Sequence, residues 1–161
     1  MKKLMSLYAG ILVAAIAASP MHAAEEKIAL EKVPKVVINT VKKRFPKAEL
    51  VEAAKETDGT KVEYEISLKD GGTKYDVMLT PEGKITLIEK EIAAKDLPKV
   101  VAAALEEKYP KATYKVYEEM TKITDGKEVL AYYEVLLETT DKKTLEVEVS
   151  PEGKILAEEK K

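Results

Sequence analysis

The sequence predicts an α+β fold of two repeats, each a helix packed on a four-stranded antiparallel sheet. Three observations carry that expectation. The first is self-similarity: residues 33–48 read VPKVVINTVKKRFPKA and residues 97–112 read LPKVVAAALEEKYPKA, identical at seven of sixteen positions at an offset of 64. TPEGKI at 80–85 returns as SPEGKI at 150–155, offset by 70, and VEYEISL at 62–68 matches AYYEVLL at 131–137, offset by 69. Recurrence of this kind marks a duplicated unit, here with five residues inserted before the strand 131–137 and one after it. The second observation is an apolar residue at every fourth position of each copy's opening segment, the helical period. The third is strict alternation further on, where Val62, Tyr64, Ile66 and Leu68 are separated by Glu63, Glu65 and Ser67, as in a sheet covered on one face.

Taken in order, Met1 to Ala23 reads as a secretory signal: Lys2 and Lys3, an uncharged apolar run from Leu4 to Ala18, then Pro20 and the small residues Ala23 and Ala24. The run is shorter than the ~20 residues of a membrane span. The expected organisation is therefore a signal at 1–23, a first repeat at 24–91 and a second at 92–161, in a periplasmic or secreted chain with no membrane contact once the signal is gone. The helices carry Val33, Val37, Val41 and Phe45 in one copy and Leu97, Val101, Leu105 and Tyr109 in the other. Pro34 and Pro98 suit a first turn, and Asp96 suits a cap ahead of the second helix. Both helices are expected to stop at the residue before Pro46 or Pro110, because a proline ring disfavours the α region for its predecessor. Asp58-Gly59 and Asp125-Gly126 fit hairpin turns, and Pro81-Glu82-Gly83 and Pro151-Glu152-Gly153 fit the last turn of each copy.

A two-residue loop at Asp125-Gly126 places Val116 opposite Val135 and Tyr114 opposite Leu137. In the first copy a two-residue loop pairs Leu50 with Ser67 and a three-residue loop pairs it with Leu68, and both stay open. On the face expected to meet water the first copy has Glu63 and Ser67, where the second has Tyr132 and Leu136. Tyr117 shares that face under the derived register. Tyr117, Tyr132 and Leu136 are therefore the expected partner-binding residues, tyrosine being enriched at binding hot spots.

Composition excludes more chemistry than it permits. Beyond residue 23 there is no His, Cys, Trp or Gln, one Asn (Asn39), and two Ser (Ser67 and Ser150). Nucleophilic triads and zinc sites built on His or Cys have no residues to work with, so no catalytic residue, cofactor or metal ligand is assigned. Arg44 is the single arginine, and the net charge after signal removal is 25 − 29 = −4 with both signs interleaved, which disfavours nucleic acid as a partner. The alternative use of the many carboxylates is a small ligand or divalent cation held by Glu63, Glu65, Asp76, Glu134, Glu146 and Glu148 on the outer sheet face.

Leu97-Pro98, Tyr109-Pro110, Tyr133-Glu134-Val135 and Pro151-Glu152-Gly153-Lys154 stand in an order that resembles the PepSY-like family, also described as β-lactamase-inhibitor-like proteins. The first copy matches with Val33-Pro34, Phe45-Pro46, Tyr64-Glu65-Ile66 and Pro81-Glu82-Gly83-Lys84. The resemblance implies a helix on a four-stranded antiparallel sheet in each copy, export, and no catalysis. It also implies an exported protein partner, because PepSY units occur in propeptides and regulators of secreted peptidases, so an inhibitor or regulator of such an enzyme is the expected role.

Overall fold

Each helix forms where the four-residue apolar stripe runs between two prolines. Helix α1 (Lys35–Arg44) buries Val37 and Val41, and α2 (Lys99–Lys108) buries Val101 and Leu105, in a computed structural model that describes residues 24–161. Pro34 and Pro98 stand one residue before each helix, and their carbonyls accept the backbone N–H groups of Ile38 and Ala102. Asp96 is not the expected cap; it lies in a short 3-10 turn (Ala94–Asp96), and α2 begins without a side-chain cap. At the far ends Phe45 and Tyr109 leave the helical region, at φ −125° and −123°, as residues preceding proline do. The expected signal segment lies outside the described residues.

Nine strands follow the alternating segments: β1 (Ala24–Ile28), β2 (Glu49–Asp58), β3 (Lys61–Asp70), β4 (Thr73–Leu79), β5 (Ile85–Glu91), β6 (Thr113–Thr124), β7 (Lys127–Glu138), β8 (Thr144–Val149) and β9 (Ile155–Lys160). All pair antiparallel with their sequence neighbours in one continuous sheet. The α+β class stands, and in place of four strands in each repeat there is a single nine-stranded sheet, joined where Leu87 to Glu91 of β5 pair with Glu118 to Lys122 of β6. The additional strand is β1. Ile28 pairs with Ala53, and 64 residues on, the Ile92 N–H donates to the Tyr117 carbonyl at 2.9 Å. Strand β1 thus does for the first copy what the end of β5 does for the second.

Val77 pairs with Ile88, Lys90 with Glu119, and Glu119 with Tyr133, so the register carries one face of the sheet from the first core to the second. Both helices lie on that face. The first core joins Val37, Val41 and Phe45 to Ile66, Leu68, Val77 and Leu79, and the second joins Val101 and Leu105 to Tyr133, Val135, Leu137, Val147 and Val149. The lengthened β6–β7 hairpin reaches back over the first copy, where Ile123 packs on its core and the Arg44 guanidinium donates to both oxygens of Glu128 at 3.0 and 3.1 Å. The Pro-Glu-Gly turns hold each helix to the sheet. Gly83 and Gly153 have φ of +81° and +86°, and a Cβ there would meet Val36 Cγ2 at 2.9 Å or Val100 Cγ2 at 2.8 Å, so glycine is required for both space and conformation.

Strand β9 is more exposed than its counterpart β5. Where β5 buries Ile88, β9 carries Glu158 at the position offset by 70, paired with Lys108 of α2. No helix among the described residues is long and apolar enough to cross a membrane.

Because the β5–β6 ladder and the hairpin tip tie the copies together, Phe45→Ala should destabilise the whole molecule by about 3–5 kcal/mol, the usual cost of emptying a buried aromatic site. Chemical denaturation followed through the second copy's tyrosines should show that loss in one transition. Two separate transitions would show that the copies unfold independently.

Candidate functional site

The helix-free face of the sheet carries most of the groups of interest, because alternation along each strand sends every second side chain there. Tyr132 and Leu136 both lie on it. Tyr132 pairs with Met120 and sits under Lys122, whose Nζ is 5.2 Å from the ring centroid, while Leu136 lies between Val116 and Glu146. Tyr117 does not join them. The loop at Asp125-Gly126 forms as expected, with Thr124 opposite Lys127, and Tyr114 faces Leu137 as expected. Between those points a bulge at Ala131 shifts the pairing by one residue and a second at Lys115 shifts it back, so Val116 faces Leu136 and Tyr117 faces Val135. A one-residue slip moves a side chain to the opposite face. Tyr117 consequently packs against the second core, on the helix side. In the first hairpin Leu50 faces Leu68, through a bulge at Val51 rather than a three-residue loop.

Around Tyr132 and Leu136 the face is acidic. Glu134 lies directly opposite both Glu118 and Glu148, Glu91 opposite Glu118, and Asp76 opposite Glu89. Like charges so placed repel across a ladder. Burial, reinforced by Glu118 and other neighbouring carboxylates, raises the Glu89 carboxyl to about 9. Burial and Asp76 raise Glu65 and Glu118 to about 7 each, and burial and Glu146 raise Glu134. Burial first, and Glu148 and Glu134 next, also raise the Tyr132 phenol. Lys74 supplies one counter-charge through its 3.0 Å bridge to Glu91, and Lys161 another through Glu146. Glu63 is not free for a ligand: it is 9% exposed, accepts from Thr86 Oγ1 at 2.9 Å and bridges Lys61 at 2.8 Å.

At the joint between the copies Asp76 of β4, Glu89 of β5 and Glu118 of β6 each bring a carboxylate oxygen within 4.8 Å of the other two. Oxygen donors at that spacing suit a hard divalent cation. Sequence reading had singled out Asp76 but neither Glu89 nor Glu118. Both occupy polar positions of alternating segments; Glu89 faces Asp76 across the β4–β5 ladder of the first copy, whereas the proximity of Glu118 depends on the two copies joining edge to edge, which alternation alone does not reveal.

The family model described as "Putative beta-lactamase-inhibitor-like, PepSY-like" matches the chain twice, at residues 21–87 and 64–157. The chain belongs to the PepSY-like family. Among solved structures it is similar to a BLIP-like protein from Bacteroides fragilis, at 19% identity over 78% of this chain and 84% of that one, with a TM-score of 0.57. A "putative periplasmic" protein from Bacteroides eggerthii matches at 14% identity over 80% and 88% of the two chains, with a TM-score of 0.64. A DUF2874 family protein from Bacteroides uniformis matches at 15% identity over 79% and 88%, with a TM-score of 0.63. At such identities these likenesses establish the shared fold. No curated protein matches the sequence.

The raised carboxyls set the pH dependence of stability. Above the ordinary carboxylate range the folded chain holds protons on Glu65, Glu89 and Glu118 that the unfolded chain has released, so stability falls as pH rises through about 7 and then about 9. The lowered carboxyls of Glu138 and Asp141, held down by lysines, act only at pH below that range. Thermal melting should therefore occur several degrees higher at about pH 5 than at about pH 8. A melting temperature that rises between those values would contradict the crowding described.

Proposed function

We propose that this protein is an exported, non-catalytic protein-binding module, an inhibitor or regulator of a secreted or periplasmic enzyme such as a peptidase. Residues 1–23 direct export, and 24–91 and 92–161 are its two repeats. Membership of an inhibitor-like family supports the reading, as do a fold shared with a protein described as periplasmic and a composition without nucleophilic triads. The observation that carries it is the departure of the second copy at Tyr132 and Leu136. Fold alone is served by Glu63 and Ser67 at these positions in the first copy, yet the second places two large groups, both half-buried, on a face that no helix covers among the described residues. Framed by Glu134, Glu146 and Glu148, such a surface suits a partner with an apolar anchor and basic rim.

The test is capture from a periplasmic extract by immobilised protein, comparing the wild type with a double variant, Tyr132→Glu and Leu136→Ser, that restores the first copy's residues. The variant should fold with an unchanged circular dichroism spectrum and retain less than about a tenth of the captured partner, since hot-spot residues carry ~2 kcal/mol or more each. Equal capture by both proteins would place the contact elsewhere.

A second reading is favoured by the Asp76, Glu89 and Glu118 cluster: binding of a divalent cation on the same face. Calorimetric titration with calcium should then give saturable binding accompanied by proton release, because Glu89 must give up its proton to act as a ligand. Glu89→Gln should abolish the heat. A titration without saturable heat would remove this reading and leave the protein-binding one untouched.

A further inference from the structure

The copies diverge at a second place, in the strand that closes each of them. The β8–β9 ladder repeats the β4–β5 ladder pair for pair at an offset of 70. Val149 faces Ile155 as Leu79 faces Ile85, Glu148 faces Ala157 as Met78 faces Leu87, and Val147 faces Glu158 as Val77 faces Ile88. Even the bulge at Thr86 returns at Leu156. The slot beside β8 is therefore the slot that β5 fills beside β4, and its apolar lining is kept: Val147 and Val149 are as fully buried as Val77 and Leu79.

The strands that fill the two slots differ. On the helix side β5 offers Ile85 and Ile88, the latter 6% exposed, whereas β9 offers Ile155 and then Glu158. No residue of β9 is buried, and Leu156 is exposed. Strand β9 is also hydrogen-bonded along one edge, where β5 is bonded along both. Beyond its ladder, β9 is held by charge at the surface. Lys108 bridges Glu158 and keeps its carboxyl below the ordinary range, and Lys161 bridges Glu146. Exposed ion pairs contribute little to stability, and a segment that buries little apolar surface opens locally with a small change in free energy. The second copy thus has an apolar slot closed by a strand that matches it poorly.

We infer that β9 is a displaceable strand, and that the slot beside β8 takes an extended segment of a partner protein with an aliphatic side chain against Val147, where β9 places Glu158. The first copy identifies the occupant: beside β4 the same slot holds ITLIEKE, residues 85–91. Such an exchange replaces one set of ladder hydrogen bonds with another and gains the burial of the aliphatic group. The inference rests on the reading of the chain as a protein-binding module but not on Tyr132 and Leu136, which lie on the opposite face.

The test is a nuclear magnetic resonance titration of the purified protein with a capped peptide of residues 84–92, and with the same peptide bearing Ile88→Glu. Before any peptide is added, the amides of residues 155–160 should exchange with solvent faster than those of residues 85–91. The peptide should bind saturably, shift the Val147 methyl and Tyr109 ring signals, and move the signals of residues 155–161 to unstructured positions. Its Ile88→Glu form should bind at least about tenfold more weakly. Salt, which weakens the ion pairs holding β9, should strengthen uptake. In the protein, Glu158→Ile gives β9 the side chain that the slot takes; it should slow exchange of the β9 amides and weaken uptake at least about tenfold. No uptake, equal uptake of the two peptides, or binding that leaves residues 155–161 in place would overturn the inference. Uptake is measured without any extract, so its failure leaves the capture experiment on Tyr132 and Leu136 standing, and failed capture leaves uptake standing.

Discussion

Strand β5 is hydrogen-bonded along both edges, to β4 on one side and β6 on the other, and the rest of the molecule follows from that double engagement. It closes the first copy and opens the second, as β1 opens the first. With β5 shared, neither copy presents a free edge to the other. Both helices are carried to one face, and the opposite face runs unbroken across the joint. A pair of small sheets stacked face to face would have hidden the carboxylates of one copy behind those of the other. The shared strand instead sets Asp76, Glu89 and Glu118 side by side, charges that neither copy brings together alone.

The cost of that arrangement is electrostatic. Carboxylates facing one another across neighbouring strands cannot all be ionised cheaply in a half-buried setting, so the folded chain retains protons at Glu65, Glu89 and Glu118 well above the ordinary range. Tyr132 stands among the same groups with its phenol held neutral. The helix-free face is consequently a surface whose charge responds to whatever approaches it: a cation or a basic side chain lowers the neighbouring carboxyls and draws protons off.

Much of this was legible in the chain and some was not, for identifiable reasons. The helices, their ends at Phe45 and Tyr109, the α+β class and the hairpin at Asp125-Gly126 follow from periodicity and turn chemistry, which act over a few residues. The two bulges in the β6–β7 ladder do not, because a bulge is a tertiary compromise with no residue signature as strong as an Asp-Gly turn. Their effect was confined and large: Tyr117 moved from the face of Tyr132 and Leu136 to the opposite one, while Tyr114 kept its expected partner because the second slip cancelled the first. Glu89 and Glu118 were missed for the complementary reason. Each strand's pattern marks them as outward-facing, but only the joining of the copies makes them neighbours.

The glutamate at 158 has a consequence for the assembly behaviour of the chain. A unit whose last strand doubles as the first strand of the next is in principle extendable without limit, by further duplication or by docking a second molecule onto the terminal edge. A carboxylate tethered to Lys108 places a charge where an incoming strand would need a dry contact. Charge on an exposed edge strand is a common means by which sheets resist edge-to-edge pairing.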